Sequence, residues 1–145
     1  MAKPTIYVLD AFAFMAYFEN EPGAERVEQI LQNARDGKAR TFISIINLGE
    51  VIYNTERKHG LNKAQDTLAL IQAMPVEVLP ADDQTVFAAA HIKANYPVSY
   101  ADAFVIVAAQ KMDGVIMTGD LEFQDIAEVA QIEWLKRKNQ GKSGE

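Results

Sequence analysis

Short apolar runs alternate along this chain with longer stretches whose apolar residues recur every three or four positions. The runs are Ile6-Tyr7-Val8-Leu9, Thr41-Phe42-Ile43, Val76-Glu77-Val78-Leu79 and Val115-Ile116-Met117-Thr118. Each is β-prone and bounded by polar or turn residues, which predicts buried strands. Between them the period lengthens. Ala11 to Phe18 reads as an apolar helix closed by Glu19-Asn20-Glu21-Pro22-Gly23. Val27, Ile30, Leu31 and Ala34 then form the i, i+3, i+4, i+7 stripe of a second helix, which Gly37 ends. Ile45 to about His59 is apolar nearly all round in its first turns, with Ser44 as its cap and Gly60 as its stop. Asn62 is expected to cap a helix with Ala64, Leu68 and Ile71 inward, and Asp82 one containing Val86, Ala89, Ala90 and Ile92. Pro97 and Ser99 mark the start of the most apolar helix, which runs through Ala109. Leu121 to Ile126 reads as a short helical turn, and Ala130 to Leu135 as a last, edge strand.

Strands that alternate with helices predict the α/β class: an α/β/α sandwich around a central, mostly parallel sheet of four or five short strands. No internal repeat or linker divides it. Residues 1–138 read as one domain, and residues 139–145, polar and glycine-containing, as a flexible C-terminal tail.

Composition narrows the chemistry. A hydrophobic content of 49% over 145 residues suits one domain with a real core. No apolar run approaches the length of a membrane span, and the N-terminus lacks a signal-peptide core, so a cytoplasmic protein with no membrane association is expected. The absence of cysteine excludes disulfides, thiolate zinc sites and cysteine nucleophiles. A net charge of −6 argues against gripping nucleic acid by bulk charge, and leaves a local basic patch or a bound cation as the means of meeting phosphate. Arg57-Lys58-His59 with Lys63, and Arg35, Lys38 and Arg40, read either as such an RNA-facing patch or as solvated helix ends.

Four carboxylates stand apart from the solvated faces. Asp102 lies just inside the most apolar run, where an ionised carboxylate is costly unless paired, capped or bound to metal. Ser99 to Asp102 has the spacing of a capping box, so taken alone Asp102 is simplest as a cap. Asp10 and Asp120 directly follow strands, and ligands of open α/β sheets bind outside the carboxyl ends of the strands. Singly, these two also read as a helix cap and a turn residue. Glu50 sits in an apolar helix with no lysine or arginine three or four residues away; Asn47, one turn before it, is the other polar residue there. Asp125 is close enough in sequence to share the rim. Carboxylates gathered together repel until protonation or a divalent cation relieves them. With no cysteine and no suitable histidine the donors are all oxygen, which selects Mg²⁺ or Mn²⁺ over zinc or copper. Such a site binds phosphate and activates water.

Placed in order, these segments resemble those of PIN domains, specifically the VapC-like toxins of type II toxin–antitoxin pairs. Asp10 at the end of the first strand is similar to the family's first acid, and Ile46-Asn47-Leu48-Gly49-Glu50-Val51 to the helix that carries its glutamate. Ser99-Tyr100-Ala101-Asp102-Ala103-Phe104, with Ala108-Ala109 behind it, resembles the family's most recognisable motif. Thr118-Gly119-Asp120-Leu121-Glu122-Phe123 resembles the segment holding the last acid. The resemblance implies a Mg²⁺-dependent endoribonuclease, with Mn²⁺ able to substitute, that leaves a 5′-phosphate and a 3′-hydroxyl. It also implies a homodimer held inactive by a small cognate antitoxin. Asp10, Glu50, Asp102 and Asp120 would form the catalytic quartet, with Asp10, Asp102 and Asp120 on the metal and Glu50 completing the shell or orienting water. Thr118, Asn47 and Asp125 would position substrate or water. The chain departs from many relatives at Ala11, where they carry serine or threonine beside the first acid. Two other readings stand beside this one. The chain would be a PIN-fold binding module that does not cut, or an aspartyl-phosphate phosphotransferase using Asp10, although Phe12 occupies the position where such enzymes carry a second acid.

Overall fold

The computed structural model describes residues 3–138, so the expected tail at 139–145 lies outside the described residues. Strands β1 (Thr5–Leu9), β2 (Ala39–Ser44), β3 (Val76–Leu79), β4 (Val115–Thr118) and β5 (Gln131–Trp134) form one sheet in the order β3-β2-β1-β4-β5. Every pairing is parallel, so the expected four or five mostly parallel strands resolve to five, all parallel. Six α-helices join them: α1 (Ala11–Phe18), α2 (Ala24–Arg35), α3 (Ile45–His59), α4 (Leu61–Gln72), α5 (Asp83–Asn95) and α6 (Tyr100–Met112). A short 3₁₀ turn, Leu121–Asp125, follows β4.

Successive strand residues point to opposite faces, and here both faces are covered. Leu9, Ile43 and Met117 pack against Phe14, Val27, Ile30, Leu31, Val51 and Ile71 from helices α1 to α4. Val8, Phe42 and Ile116 pack on the other side against Ala89 and Ile92 of α5 and Phe104, Val105 and Ala108 of α6. Helix α6 lies over the middle of the sheet, touching β1, β2 and β4, which is why its sequence is apolar on every side. No helix among the described residues is long and apolar enough to cross a membrane.

Two expectations give way. Asn62 does not cap α4. Gly60, at φ 91°, both ends α3 and precedes α4, so the second helix starts at Leu61 and Asn62 falls inside its first turn. The left-handed backbone available to glycine makes that abrupt turn possible. The apolar start of α3 is also not wholly core, because Ile45, Ile46 and Tyr53 are exposed at 43%, 36% and 47%.

The order of the strands places the site. The chain steps outward from β1 to β2 and β3, then crosses back to lay β4 and β5 on the other side of β1. Connections therefore diverge between β1 and β4, and this reversal opens a crevice at the carboxyl ends of those two strands.

Candidate metal centre

The register of β1 and β4 pairs Leu9 with Met117, which puts the next residues, Asp10 and Thr118, side by side at the crevice. The Thr118 hydroxyl donates a short hydrogen bond to Asp10 Oδ2, while the Ala13 N–H donates to Oδ1 at 3.0 Å. Asp10 is thus the cap of α1 that its sequence position suggests, and it is tied to β4 as well. The same Thr118 oxygen accepts from the Asp120 N–H at 2.9 Å, and Asp120 Oδ1 accepts from the Glu122 N–H at 3.0 Å. Between them Gly119 lies against the Phe12 ring, in the space that a β-carbon would need. Any side chain at 119 would have to push the Phe12 ring aside for the turn after β4 to sit this close to α1.

Across the crevice, the Ser99 hydroxyl accepts from the Asp102 N–H at 3.1 Å, so Ser99 caps α6 as expected. A full capping box would return the Asp102 carboxylate to the Ser99 N–H. That N–H instead donates to Glu122 Oε1 at 3.1 Å. Asp102 is released from capping, and its Oδ2 is buried with no hydrogen-bond partner in a residue only 6% exposed. Carboxylate oxygens of Asp102, Asp120 and Glu122 lie within 4.8 Å of one another. Oxygens bound to one Mg²⁺ at about 2.1 Å are separated by roughly 3 to 4.2 Å, so small side-chain rotations would close this trio around a cation.

Glu50 approaches from α3, half-buried, and accepts from Asn47 Nδ2 at 2.9 Å. The same amide donates to the Ala101 carbonyl of α6 at 3.1 Å, and Asn47 itself is fully buried.

Burial sets the electrostatics. It pushes Asp102 up to about 8, with the charges of Asp120, Asp10 and Glu122 adding and the bond to Ser99 opposing. Burial likewise pushes Asp10 up to about 7 against the hydrogen bonds from Thr118 and Ala13. It raises Glu50 also, opposed by Asn47 and reinforced by Asp120 and Glu122. Crowded, desolvated acids of this kind are relieved by a divalent cation, and a hard oxygen donor set fits Mg²⁺ or Mn²⁺.

The structure therefore brings Asp10, Glu50, Asp102 and Asp120 to one crevice, with Asp102 and Asp120 in the convergent trio. Thr118 links Asp10 to Asp120, and Asn47 stands behind Glu50. Asp125 is exposed at the end of the 3₁₀ turn and is not among the convergent oxygens. Sequence reasoning missed Glu122. The signal was the Asp-x-Glu spacing after a strand, since an aspartate that accepts from the N–H two residues on folds that residue back over itself. Five of the seven cations considered for a patch are engaged locally. Lys58 and His59 face Glu19 at 3.1 and 3.6 Å, Arg40 pairs with Glu77 at 2.7 Å, Arg35 with Glu28 at 3.6 Å, and Arg57 lies over the Tyr53 ring.

A family profile described as PIN domain matches residues 7–129. No curated protein sequence matches the chain. Among solved structures, the DNA-bound VapBC of Salmonella typhimurium has a chain 26% identical, with a TM-score of 0.71 over 89% of this chain and 97% of that one. VapBC2 of Rickettsia felis, bound to a fragment of its promoter, has a chain 15% identical at the same TM-score, over 91% and 100%. The VapC20 toxin of Mycobacterium tuberculosis, described as cleaving the sarcin–ricin loop, is 16% identical at 0.66, over 84% and 95%. The structural neighbours are thus VapC toxins of VapBC toxin–antitoxin complexes.

Proposed function

The chain belongs to the PIN-domain family, and from that premise we propose that it is a metal-dependent endoribonuclease acting as the toxin of a toxin–antitoxin pair. The observation that carries this reading is the unpartnered, buried Asp102 Oδ2 in a residue whose carboxylate converges with those of Asp120 and Glu122. A buried oxygen without a donor is unfavourable in isolation and is the kind of group a cation satisfies. Asp102, Asp120 and Glu122 would hold Mg²⁺, with Asp10 beside them through Thr118. When bound, such an ion supplies Lewis-acid polarisation of a phosphodiester and eases the ionisation of water.

The remaining roles fall to the chain. Glu50, half-buried and shifted upward by burial, is the group suited to accept a proton from the attacking water. Thr118 holds Asp10 at the crevice floor, and Ala11 adds no hydroxyl there. Cleavage would leave a 5′-phosphate and a 3′-hydroxyl. The similarity to chains of VapBC complexes supports a small cognate antitoxin as partner, and with it a homodimeric, cytoplasmic protein.

The test is direct. The purified protein with Mn²⁺ or Mg²⁺ should cut RNA, and Asp102→Asn should lower the rate by about 100-fold or more. Equal cleavage by that variant would remove the proposal.

A further inference from the structure

One buried group in this region does no work in the scheme above. Asn47 is 0% exposed, yet it carries a polar amide into the contact between α3 and α6. Both hydrogens of Nδ2 are used, one on Glu50 Oε1 at 2.9 Å and one on the Ala101 carbonyl at 3.1 Å. Its Oδ1 is buried with no partner. The orientation of the amide is fixed by its neighbours, because a carbonyl and a carboxylate are both acceptors and turning the amide over would set oxygen against oxygen. Leaving one amide oxygen unsatisfied is unfavourable, so packing alone would favour an apolar side chain here.

We infer that Asn47 is a positioning residue: its amide ties the Glu50 carboxylate of α3 to the backbone of α6 one residue before Asp102, and so fixes the distance across the crevice. The spacing within α3 makes this possible. Asn47 and Glu50 are three residues apart on one helix, hence on one face, and that face meets the first turn of α6. Ala101 and Asp102 share that first turn. A shift of Glu50 relative to Asp102 would have to break one of the two Asn47 bonds. A glutamate on a free side chain would sample several rotamers, whereas the tethered one is held in one of them.

The kinetic arm of the test rests on the nuclease reading, and a metal-binding arm does not. Asn47→Ala should lower kcat for RNA cleavage at saturating Mn²⁺ by about 10- to 100-fold while leaving KM for RNA unchanged, the range typical of partners that orient a site group. In a Glu50→Gln background the same substitution should change kcat less than about twofold, because the group it positions is already lost. Mn²⁺ affinity, measured by calorimetry on the same four proteins, should fall in Asn47→Ala and fall no further when the substitution is made in the Glu50→Gln background, because the amide holds the Glu50 charge near Asp120 and Glu122, where it strengthens the site for a cation. An equal loss in both backgrounds would overturn the inference, since it would mean that Asn47 acts through packing alone. So would a folded Asn47→Ala with wild-type kcat and wild-type Mn²⁺ affinity. If the unaltered protein cuts no RNA, the nuclease reading fails and the Mn²⁺ cycle alone decides the role of Asn47.

Discussion

Asp10 and Asp102 make the protein's own stability a reporter of its site. Burial raises them to about 7 and about 8, above their ordinary value of 3.8, so the folded metal-free protein holds these protons more tightly than the unfolded chain does. A raised carboxyl favours the fold most below its unfolded value, and that contribution is lost as pH rises through the folded value. Without metal, the melting temperature should therefore fall between about pH 4, where the unfolded chain begins to lose these protons, and about pH 8, where the folded protein has lost both. Asp102→Asn, which puts a neutral side chain of the same shape there, should make that decline shallower throughout and end it near pH 7, where Asp10 has ionised. On the proposed reading, millimolar Mg²⁺ should restore stability at high pH, because it would bind the ionised form of the site. Thermal melts in chelator and in Mg²⁺ across this range check all three outcomes, and a melting temperature that rises with pH in chelator would contradict the burial of these acids. These two residues were legible in the sequence because each is an acid against an apolar run. The simple role holds for Asp10, which does cap α1, and fails for Asp102: Ser99 caps α6, but Glu122 takes the Ser99 N–H that a capping box would give to Asp102. A pattern of single positions cannot tell an acid that caps, as Asp10 does while facing the crevice, from one that another residue has displaced.

Among the elements, long periodic helices and short apolar strands were read from sequence almost to their ends, since burial on one face or two imposes a period. Turns were read less well because their geometry is set by close approaches that no period encodes. Glu122 is the clearest instance, exposed and in a polar turn, yet carried to the crevice by the Asx turn at Asp120 and the reach to Ser99. Glu122→Gln should weaken Mn²⁺ binding by about tenfold or more in a calorimetric titration, whereas Asp125→Asn, outside the convergent trio, should not. Two glycines of this region should respond oppositely to alanine. Gly119→Ala drives a β-carbon into the Phe12 ring and should cost about 1–3 kcal/mol in urea denaturation. Gly49→Ala, exposed within α3 with nothing within 4 Å of the new carbon, should instead stabilise by about 0.8–1 kcal/mol.

At the scale of the whole molecule, the alternation of strands and helices was enough to predict a layered parallel sheet, but strand order was not readable, because it depends on which edge each crossover returns to. That order puts β1 at the centre and Asp10 beside Thr118. A sheet whose strands all run one way also has two unlike ends. Every site residue stands at the carboxyl end, while the turns that lead into β2, β3 and β4 lie at the other. Gly37, which enters β2 at φ 77°, has nothing within 4 Å of where a side chain would start. A short glycine–serine insert between Gly37 and Lys38 should cost little more than the Lys38–Asn33 backbone bond, about 1 kcal/mol, and leave Mn²⁺ affinity unchanged. The same insert after Gly119 should abolish binding. One end of the sheet is thus a place for splicing tags, fluorophores or whole domains, physically insulated from the chemistry by the length of the strands.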